Sequence, residues 1–244
     1  MNITQPVATP QGVNAGLNSA RQATMKAVLG NPRSTYSQAC QSITNPVLAK
    51  LVVTENVGPF RVTGLKPAVD SIRAVFADIA KEQPDVYAAL GTAGMLCVRN
   101  IRGSANGVSN HSWGTAIDLT LGGVLDRYGD GKVQYGLTLI APIFNRHKWY
   151  WGAVFGKEDG MHFEASEQLI REWAAHGLFA GTAPAQVLSI GDRGQEVRNL
   201  QKALGLSIDG VFGKGTQAAV IAFQKSKGLA ADGAVGAKTW AALK

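Results

Sequence analysis

The sequence has few cysteines, no long apolar run and no concentrated basic segment. Its two cysteines, Cys40 and Cys97, form no Cys-x-x-Cys pair, which excludes a disulfide framework and a zinc knuckle. We expect two free, mostly buried thiols. No window approaches 18 consecutive apolar residues, so no membrane insertion is predicted. The opening MNITQPVATP lacks the basic and apolar regions of a signal peptide, so we expect synthesis in the cytoplasm without a signal peptide.

The charge balance is positive. The net charge is +7 and the isoelectric point about 9.5, and the last 60 or so residues are denser in positive charge than the rest. Basic chains favour polyanions such as nucleic acid, acidic lipid or an anionic cell wall. No Lys/Arg run with interleaved aromatic residues is present, so we expect no nucleic-acid partner. The hydrophobic content of 45% is enough for a packed core.

Helices and short strands alternate irregularly along the first 180 residues. Residues 66–90 read as a helix that Pro84 interrupts or restarts, because apolar residues recur at spacings of three and four. These residues are Val69, Ile72, Val75, Phe76 and Ile79. GMLCVRNIRG predicts a strand, SNHSWGTAIDLTL a loop that leads into a strand, and YWGAVFGKEDGMHFE a strand, a turn and a strand. Helices are predicted at residues 134–146 and in ASEQLIREWAAHGLF, which together favour the α+β class.

The C-terminal segment contains a repeat. DGVFGKGT and DGAVGAKT share the pattern DGxxGxxT, and each leads into a helical segment for which Thr216 and Thr239 are the predicted N-caps. Val197, Leu200 and Leu204 predict an earlier helix. The segment from 187 resembles the peptidoglycan-binding domain of cell-wall hydrolases. That resemblance implies a three-helix module at 187–244. The small, uncharged, proline-containing GTAPAQ predicts a linker at 181–186, which leaves residues 1–180 for a catalytic domain.

Two metal-binding side chains stand among small residues in SNHSWGTAID. His111 and Asp118 carry the nitrogen and carboxylate ligands that suit zinc, and small residues between them allow a sharp turn. His162 is the natural third ligand, because Asp159 lies three residues before it in EDGMHFE. The alternative remains open at this point, since a histidine beside a tryptophan can be purely structural and His-x6-Asp also occurs by chance.

A wider resemblance supports the metal site. CVRNIRGS, SNHSWGTAID, WYWG and EDGMHFE together resemble the VanY-like zinc D-alanyl-D-alanine carboxypeptidases and their relatives, the phage L-alanyl-D-glutamate peptidases. The signature SxHxxGxAxD matches at every fixed position, and an acid-x-x-His element follows it. The resemblance implies a Hedgehog/DD-peptidase-like α+β domain with a small antiparallel sheet. It also implies Zn2+ held by His111, Asp118 and His162.

The same resemblance assigns roles to other residues. Asp159 would be the general base and acid, with the adjacent Glu158 as the alternative, and one of Arg99 and Arg102 would serve the substrate. The residues Ser109, Trp113 and Trp151 are candidates for substrate binding, although a turn role for the serine and core packing for the tryptophans are the alternatives.

The expected function follows from the two resemblances. Together they imply a phage-type endolysin, a zinc metallopeptidase that cuts peptidoglycan stem peptides, with the L-Ala–D-Glu bond slightly favoured. A D-Ala–D-Ala carboxypeptidase and a non-catalytic wall-binding protein are the alternatives. We expect a monomer whose partner is peptidoglycan, held in the host cytoplasm before lysis and acting afterwards in the periplasm and cell wall.

Overall fold

A computed structural model describes residues 2–179 and 187–243 of the chain. The chain divides into two units, residues 1–182 and 183–244, each with a hydrophobic core of its own. The predicted linker at 181–186 lies outside the described residues, so the linker and the domain limits beside it stay predictions. No helix in the described ranges has the length and the apolar character needed to cross a bilayer.

The first unit mixes helices with short antiparallel strands, which confirms the predicted α+β class. Its helices are α1 (Gln22–Leu29), α2 (Pro46–Leu51), α3 (Lys66–Glu82), α4 (Pro84–Ala89), α5 (Tyr135–Arg146) and α6 (Glu167–Ala175). Its strands are β1 (Pro6–Ala8), β2 (Val52–Asn56), β3 (Arg61–Leu65), β4 (Leu90–Gly94), β5 (Ala116–Leu121), β6 (Val124–Leu125), β7 (Lys132–Gln134), β8 (Trp149–Trp151) and β9 (His162–Ala165). Short 3-10 helices lie at Asn110–Trp113 and Gly152–Val154.

A five-stranded antiparallel sheet forms the centre of this unit. Its strands run in the order β4-β5-β9-β8, and β6 pairs with β5 beside this path. The pairs β1-β7 and β2-β3 form two smaller sheets. Helix α3 packs against β2, β3 and α5, and all five apolar residues predicted for its buried stripe are buried. Pro84 begins α4, as the sequence predicts, because a proline is tolerated in the first turn of a helix.

The strand predicted for GMLCVRNIRG is not formed. Strand β4 ends at Gly94, where φ is 125° and the register with β5 shifts. Beyond it, residues 95–101 make only isolated bridges, between Val98 and Gln41 and between Asn100 and Val108. The alternation of apolar residues in this segment therefore accompanies isolated bridges to two loops, and it does not indicate a continuous strand.

The prediction of two free, buried thiols is wrong. Cys40 and Cys97 form a disulfide with their Cα atoms 5.0 Å apart, and Cys40 is exposed. The two cysteines meet because the neighbouring Gln41 and Val98 exchange backbone hydrogen bonds of 3.0 and 3.2 Å. Their separation of 57 residues gives no hint of this contact in the sequence.

The second unit consists of α7 (Gln195–Ala203), α8 (Lys214–Ser226) and α9 (Ala237–Ala242) within the described residues 187–243. This confirms the predicted C-terminal helical domain. The helices enclose a small apolar core, which contains Leu188, Val197, Leu200, Phe212, Val220 and Val235.

The predicted threonine caps of the second unit are wrong. The N-cap residues of α8 and α9 are Gly213 and Gly236, while Thr216 and Thr239 lie buried in the first turn of each helix. Each threonine hydroxyl accepts a hydrogen bond from a buried glutamine, at 3.3 Å from Gln201 in the first copy and 3.2 Å from Gln224 in the second. Both copies of the repeat thus contain the same glutamine–threonine hydrogen bond. The threonine hydroxyl takes part in this bond and does not cap the helix.

Candidate metal centre

Three side chains from different elements of the first unit converge on one point. Asp118 on β5 lies directly opposite His162 on β9, and His111 reaches them from the 3-10 helix before β5. His111 Nε2, Asp118 Oδ1 and His162 Nδ1 are each 3.1 Å from the other two atoms. In a tetrahedral zinc site, neighbouring ligand atoms lie roughly 3.3 Å from one another. The triangle of these three atoms is therefore about the size of one face of such a tetrahedron.

Gly114 makes the approach of His111 possible. It adopts the left-handed conformation with φ of 64°, and its amide bonds to the carbonyl of His111 at 3.0 Å. A Cβ atom at this position would lie 2.8 Å from Cα of Gly64 on β3. The turn between the two predicted ligands therefore requires glycine both for its backbone angle and for its contact with β3.

The hydrogen bonds of the two imidazoles suit a cation. Nδ1 of His111 lies 2.8 Å from the carbonyl oxygen of Met95, and Nε2 of His162 lies 3.0 Å from Oε2 of Glu164. Each of these nitrogens donates its proton to an oxygen, so the other nitrogen of each neutral ring presents a lone pair towards Asp118. Two lone pairs and a carboxylate oxygen then face one another, and a bound cation satisfies all three.

The electrostatics of the cluster favour positive charge. Burial acts to raise the pKa of Asp118, but the charges and hydrogen bonds of His111 and His162 hold it well below its usual range. Burial acts to lower the pKa of His162, but Asp118 and Glu164 outweigh it and raise the pKa to about 10. A proton or a metal ion can supply the charge that the two carboxylates attract, and both compete for the same nitrogen.

Asp159 lies on the turn before β9 and keeps a carboxylate oxygen free. Its amide donates to the carbonyl of Gly152 at 3.0 Å, which fixes the backbone of the turn. Its Oδ1 is buried and has no hydrogen-bond partner within the described residues. Burial raises the pKa of Asp159, as does the charge of Asp118, against the lowering effect of His162. A carboxylate with a raised pKa and a free oxygen has the properties of a general base.

Glu158 is unsuited to that role. Its buried carboxylate accepts hydrogen bonds from the amides of Gly129, Asp130 and Gly131 at 3.0 to 3.3 Å and from Gly160 at 2.8 Å. These bonds join the turn before β7 to the turn before β9. Glu158 is therefore a structural residue, and of the two adjacent acids only Asp159 has an oxygen to spare.

The two candidate arginines differ in their surroundings. Arg99 is half-buried, and burial and the charge of Arg102 lower its pKa, while the charges of Asp118 and Asp159 raise it. Arg102 is exposed. The structure thus brings Arg99 into the electrostatic field of the cluster, and the role of either arginine towards a substrate stays a prediction.

The candidates for substrate binding lie mostly in the core. Trp113 and Trp151 are fully buried, and their indole N–H groups donate to the carbonyls of Gly30 at 2.8 Å and Gly160 at 2.7 Å. The prediction that they line a substrate groove is therefore wrong, because neither ring exposes a surface. Ser109 is also buried, and its amide donates to the carbonyl of Arg99 at 3.1 Å. Its role towards a substrate stays a prediction.

Glu164 is a functional candidate that was not predicted. Its Oε2 accepts hydrogen bonds from His162 and, at 2.8 Å, from Asn110 Nδ2. Its Oε1 accepts from Ser19 Oγ at 2.6 Å and from the amide of Ala20 at 3.1 Å. The alternation of β9, which points His162 and Glu164 to the same face, was the available signal. Nothing in the sequence indicated that residues near position 20 hold this carboxylate.

We expect Glu164→Gln to weaken metal binding roughly 10- to 100-fold, because the substitution removes the carboxylate that orients His162. The measurement is competition for Zn2+ against a chelator of known affinity. Glu172→Gln is the matched control, since Glu172 is a half-buried acid on α6, paired with Lys148 and outside the cluster. Equal affinities of the Glu164→Gln variant and the control would contradict an orienting role.

Family models match two segments of the chain. Residues 102–165 match a family described as D-alanyl-D-alanine carboxypeptidase, and residues 193–243 match a peptidoglycan binding domain. The first range includes His111, Asp118, Asp159 and His162 and leaves out Arg99. Two segments of the chain are thus similar to a carboxypeptidase family and to a peptidoglycan binding domain, which confirms the resemblance predicted from its motifs.

Part of the chain is similar in sequence to a solved structure. The crystal structure of Burkholderia AP3 phage endolysin is 45% identical over 24% of this chain and 25% of that chain, with a TM-score of 0.24. The chain therefore covers about a quarter of the length of that endolysin. No curated protein matches the chain.

Proposed function

We propose that this protein is a phage-type endolysin, a zinc-dependent peptidase that hydrolyses a peptide bond in the stem peptides of peptidoglycan. The observation that carries the proposal is the triangle of His111, Asp118 and His162 beside the free carboxylate oxygen of Asp159. Three ligand atoms on one side leave room for a water molecule, which is the arrangement of catalytic rather than structural zinc sites. The match of residues 102–165 to a carboxypeptidase family supports the reaction class.

Each residue of the candidate site has a separate role in the proposed hydrolysis. Zn2+, when bound by His111, Asp118 and His162, supplies Lewis acidity at neutral pH. Asp159 takes a proton from the attacking water at its free Oδ1 and delivers that proton to the leaving amine. The guanidinium of Arg99 stabilises the negative charge that develops on the scissile carbonyl oxygen. Glu164 holds the ring of His162 in place throughout.

The C-terminal unit supplies attachment in this proposal. Its match to a peptidoglycan binding domain supports the wall as the partner, and binding to an insoluble substrate raises the local concentration of the peptidase. Two of the described acids of this unit form hydrogen bonds within it: Asp209 accepts from Gln201, and Asp232 accepts from Gln224. No described lysine of this unit forms an ion pair with a described acid, so the positive charge of these lysines can attract an anionic wall.

The bond that is cut separates the two enzymatic versions of this proposal. We expect an L-Ala–D-Glu endopeptidase, for which mass spectrometry of digested peptidoglycan finds new amino termini on D-Glu. Release of free D-Ala with the wall otherwise intact would instead identify a D-Ala–D-Ala carboxypeptidase. No released product from wall that still binds the protein would contradict both and leave a wall-binding protein.

A further inference from the structure

A polar cavity lies in the first unit, formed by α1 and the loop that leads into α2. Its volume is about 580 Å3, within the range of small-molecule sites. Lys26 lies on α1, and Asn31, Arg33, Tyr36 and Asn45 lie on the loop or at its end. This cavity is distinct from the metal-binding cluster, none of whose residues lines it.

The charge of this cavity is positive and uncompensated. The side chains that line it include Lys26 and Arg33 and no acid, and neither cation forms an ion pair with a described carboxylate. Arg33 donates through Nη1 to the carbonyl of Ser42 at 2.7 Å, but its Nε is buried and has no partner among the described residues. The guanidinium of Arg33 and the ammonium of Lys26 are the positive charges that an anionic oxygen in the cavity would meet.

The walls of the cavity are fixed by hydrogen bonds. The amides of Thr44 and Asn45 both donate to the carbonyl of Pro32 at 3.0 Å, and Nδ2 of Asn45 donates to the carbonyl of Asn31 at 3.0 Å. These bonds close the loop on itself, so Arg33 is held in position before any ligand binds. A preformed site loses less conformational entropy on binding than a flexible one.

The cavity is joined to the segments that carry His111 and Arg99. Gly30, next to the lining residue Asn31, accepts the indole N–H of Trp113 from the 3-10 helix that carries His111. Farther along the loop, the disulfide to Cys97 and a 2.8 Å bond from the amide of Asn100 to the carbonyl of Ser37 attach it to the segment of Arg99. A ligand in the cavity therefore contacts a frame shared with the metal-binding cluster.

We propose that this cavity binds a carboxylate of the peptidoglycan stem peptide, through Lys26 and Arg33, while the scissile bond lies at the metal centre. The inference rests on the proposed function, whose substrate carries free carboxylates along its stem. An arginine fork and a lysine are the side chains that bind carboxylates, and phosphates share this chemistry. The asparagines, the tyrosine and Ser34 add uncharged polar groups for the rest of such a ligand.

The test measures binding by calorimetry with the full chain carrying Asp159→Asn, which limits turnover. The probes are a soluble muropeptide with free stem carboxylates, the same muropeptide with those carboxylates converted to amides, and inorganic phosphate. We expect Lys26→Gln to weaken binding of the free-acid muropeptide about tenfold. Lys50→Gln on α2 is the matched control, because it removes an equal charge from an exposed position outside the cavity.

Each outcome has a definite meaning. Lys26 is the primary site of substitution because its side chain donates no hydrogen bond to the described loop. Arg33→Gln would also remove the hydrogen bond from Arg33 to the carbonyl of Ser42 and could alter the loop itself. Equal affinity of the Lys26→Gln variant and its parent, or of the acid and amide probes, overturns the proposal. Lys26-dependent binding of phosphate alone overturns the assignment to a stem carboxylate in favour of a phosphate polymer. Lys26-dependent muropeptide binding in a protein whose wild type hydrolyses no wall would overturn only the proposed function.

Discussion

Asp159→Asn is expected to lower the rate of peptidoglycan hydrolysis by roughly 10²- to 10⁴-fold. The amide cannot take a proton from water, and the carboxylate oxygen that it replaces is buried without a partner beside the metal-binding cluster. Zinc affinity and sedimentation with the wall should both be unchanged, because Asp159 is neither one of the three clustered ligands nor part of the C-terminal unit. The measurement is the initial rate of new amino termini released from purified peptidoglycan.

Asp85→Asn provides the control for this experiment. Asp85 is an exposed acid in the first turn of α4, so its substitution removes an equal charge without touching the cluster. Its rate should equal that of the wild type. An Asp159→Asn variant that keeps more than a tenth of the wild-type rate would show that another group moves the proton.

Removal of zinc is expected to abolish hydrolysis and to lower the melting temperature of the protein. The three ligand atoms lie 3.1 Å apart in the folded chain, and a cation that binds only the folded chain stabilises it. At a free zinc concentration of a hundred times Kd, the gain is about 2.7 kcal/mol, which corresponds to roughly 5 to 10 °C for a unit of this size. Differential scanning calorimetry with zinc and with a chelator measures the shift.

His111→Ala tests whether that shift comes from the candidate site. The variant has lost one of three ligands, so its melting temperature should respond little to zinc, and restoring zinc should not restore hydrolysis. A wild-type protein that remains fully active and equally stable after exhaustive chelation would exclude a metal-dependent site at His111, Asp118 and His162.

Local patterns in the sequence were enough for much of the fold. The apolar stripe of α3, the proline that begins α4 and the repeat of the C-terminal unit each depend on residues a few positions apart. The metal cluster was equally predictable in composition, because two of its ligands lie in one short motif and the third follows an acid at a fixed spacing. Such features are visible in the sequence because short-range geometry is set by backbone dihedral angles and by the periods of helix and strand.

Three of the errors concern contacts between distant residues. Cys40 and Cys97 pair because two loops exchange backbone hydrogen bonds, and Trp113 and Trp151 are buried because distant carbonyls accept their N–H groups. The threonine caps were wrong for the same reason, since a buried glutamine from another helix takes each hydroxyl. These partners cannot be identified from the type of a residue or from the spacing of its neighbours in the sequence.

The sequence by itself determined the class of fold, the helical C-terminal unit and the three side chains that could hold a metal ion. Only the tertiary structure distinguished the surroundings of Glu158 and Asp159. Four backbone amides donate to the carboxylate of Glu158, whereas Oδ1 of Asp159 has no partner among the described residues. It also showed that Ser19 bonds to Glu164, which contacts His162, across 145 positions of the chain. The physical reason is that partners of a buried polar group are chosen by packing in three dimensions, where distance along the chain has no bearing.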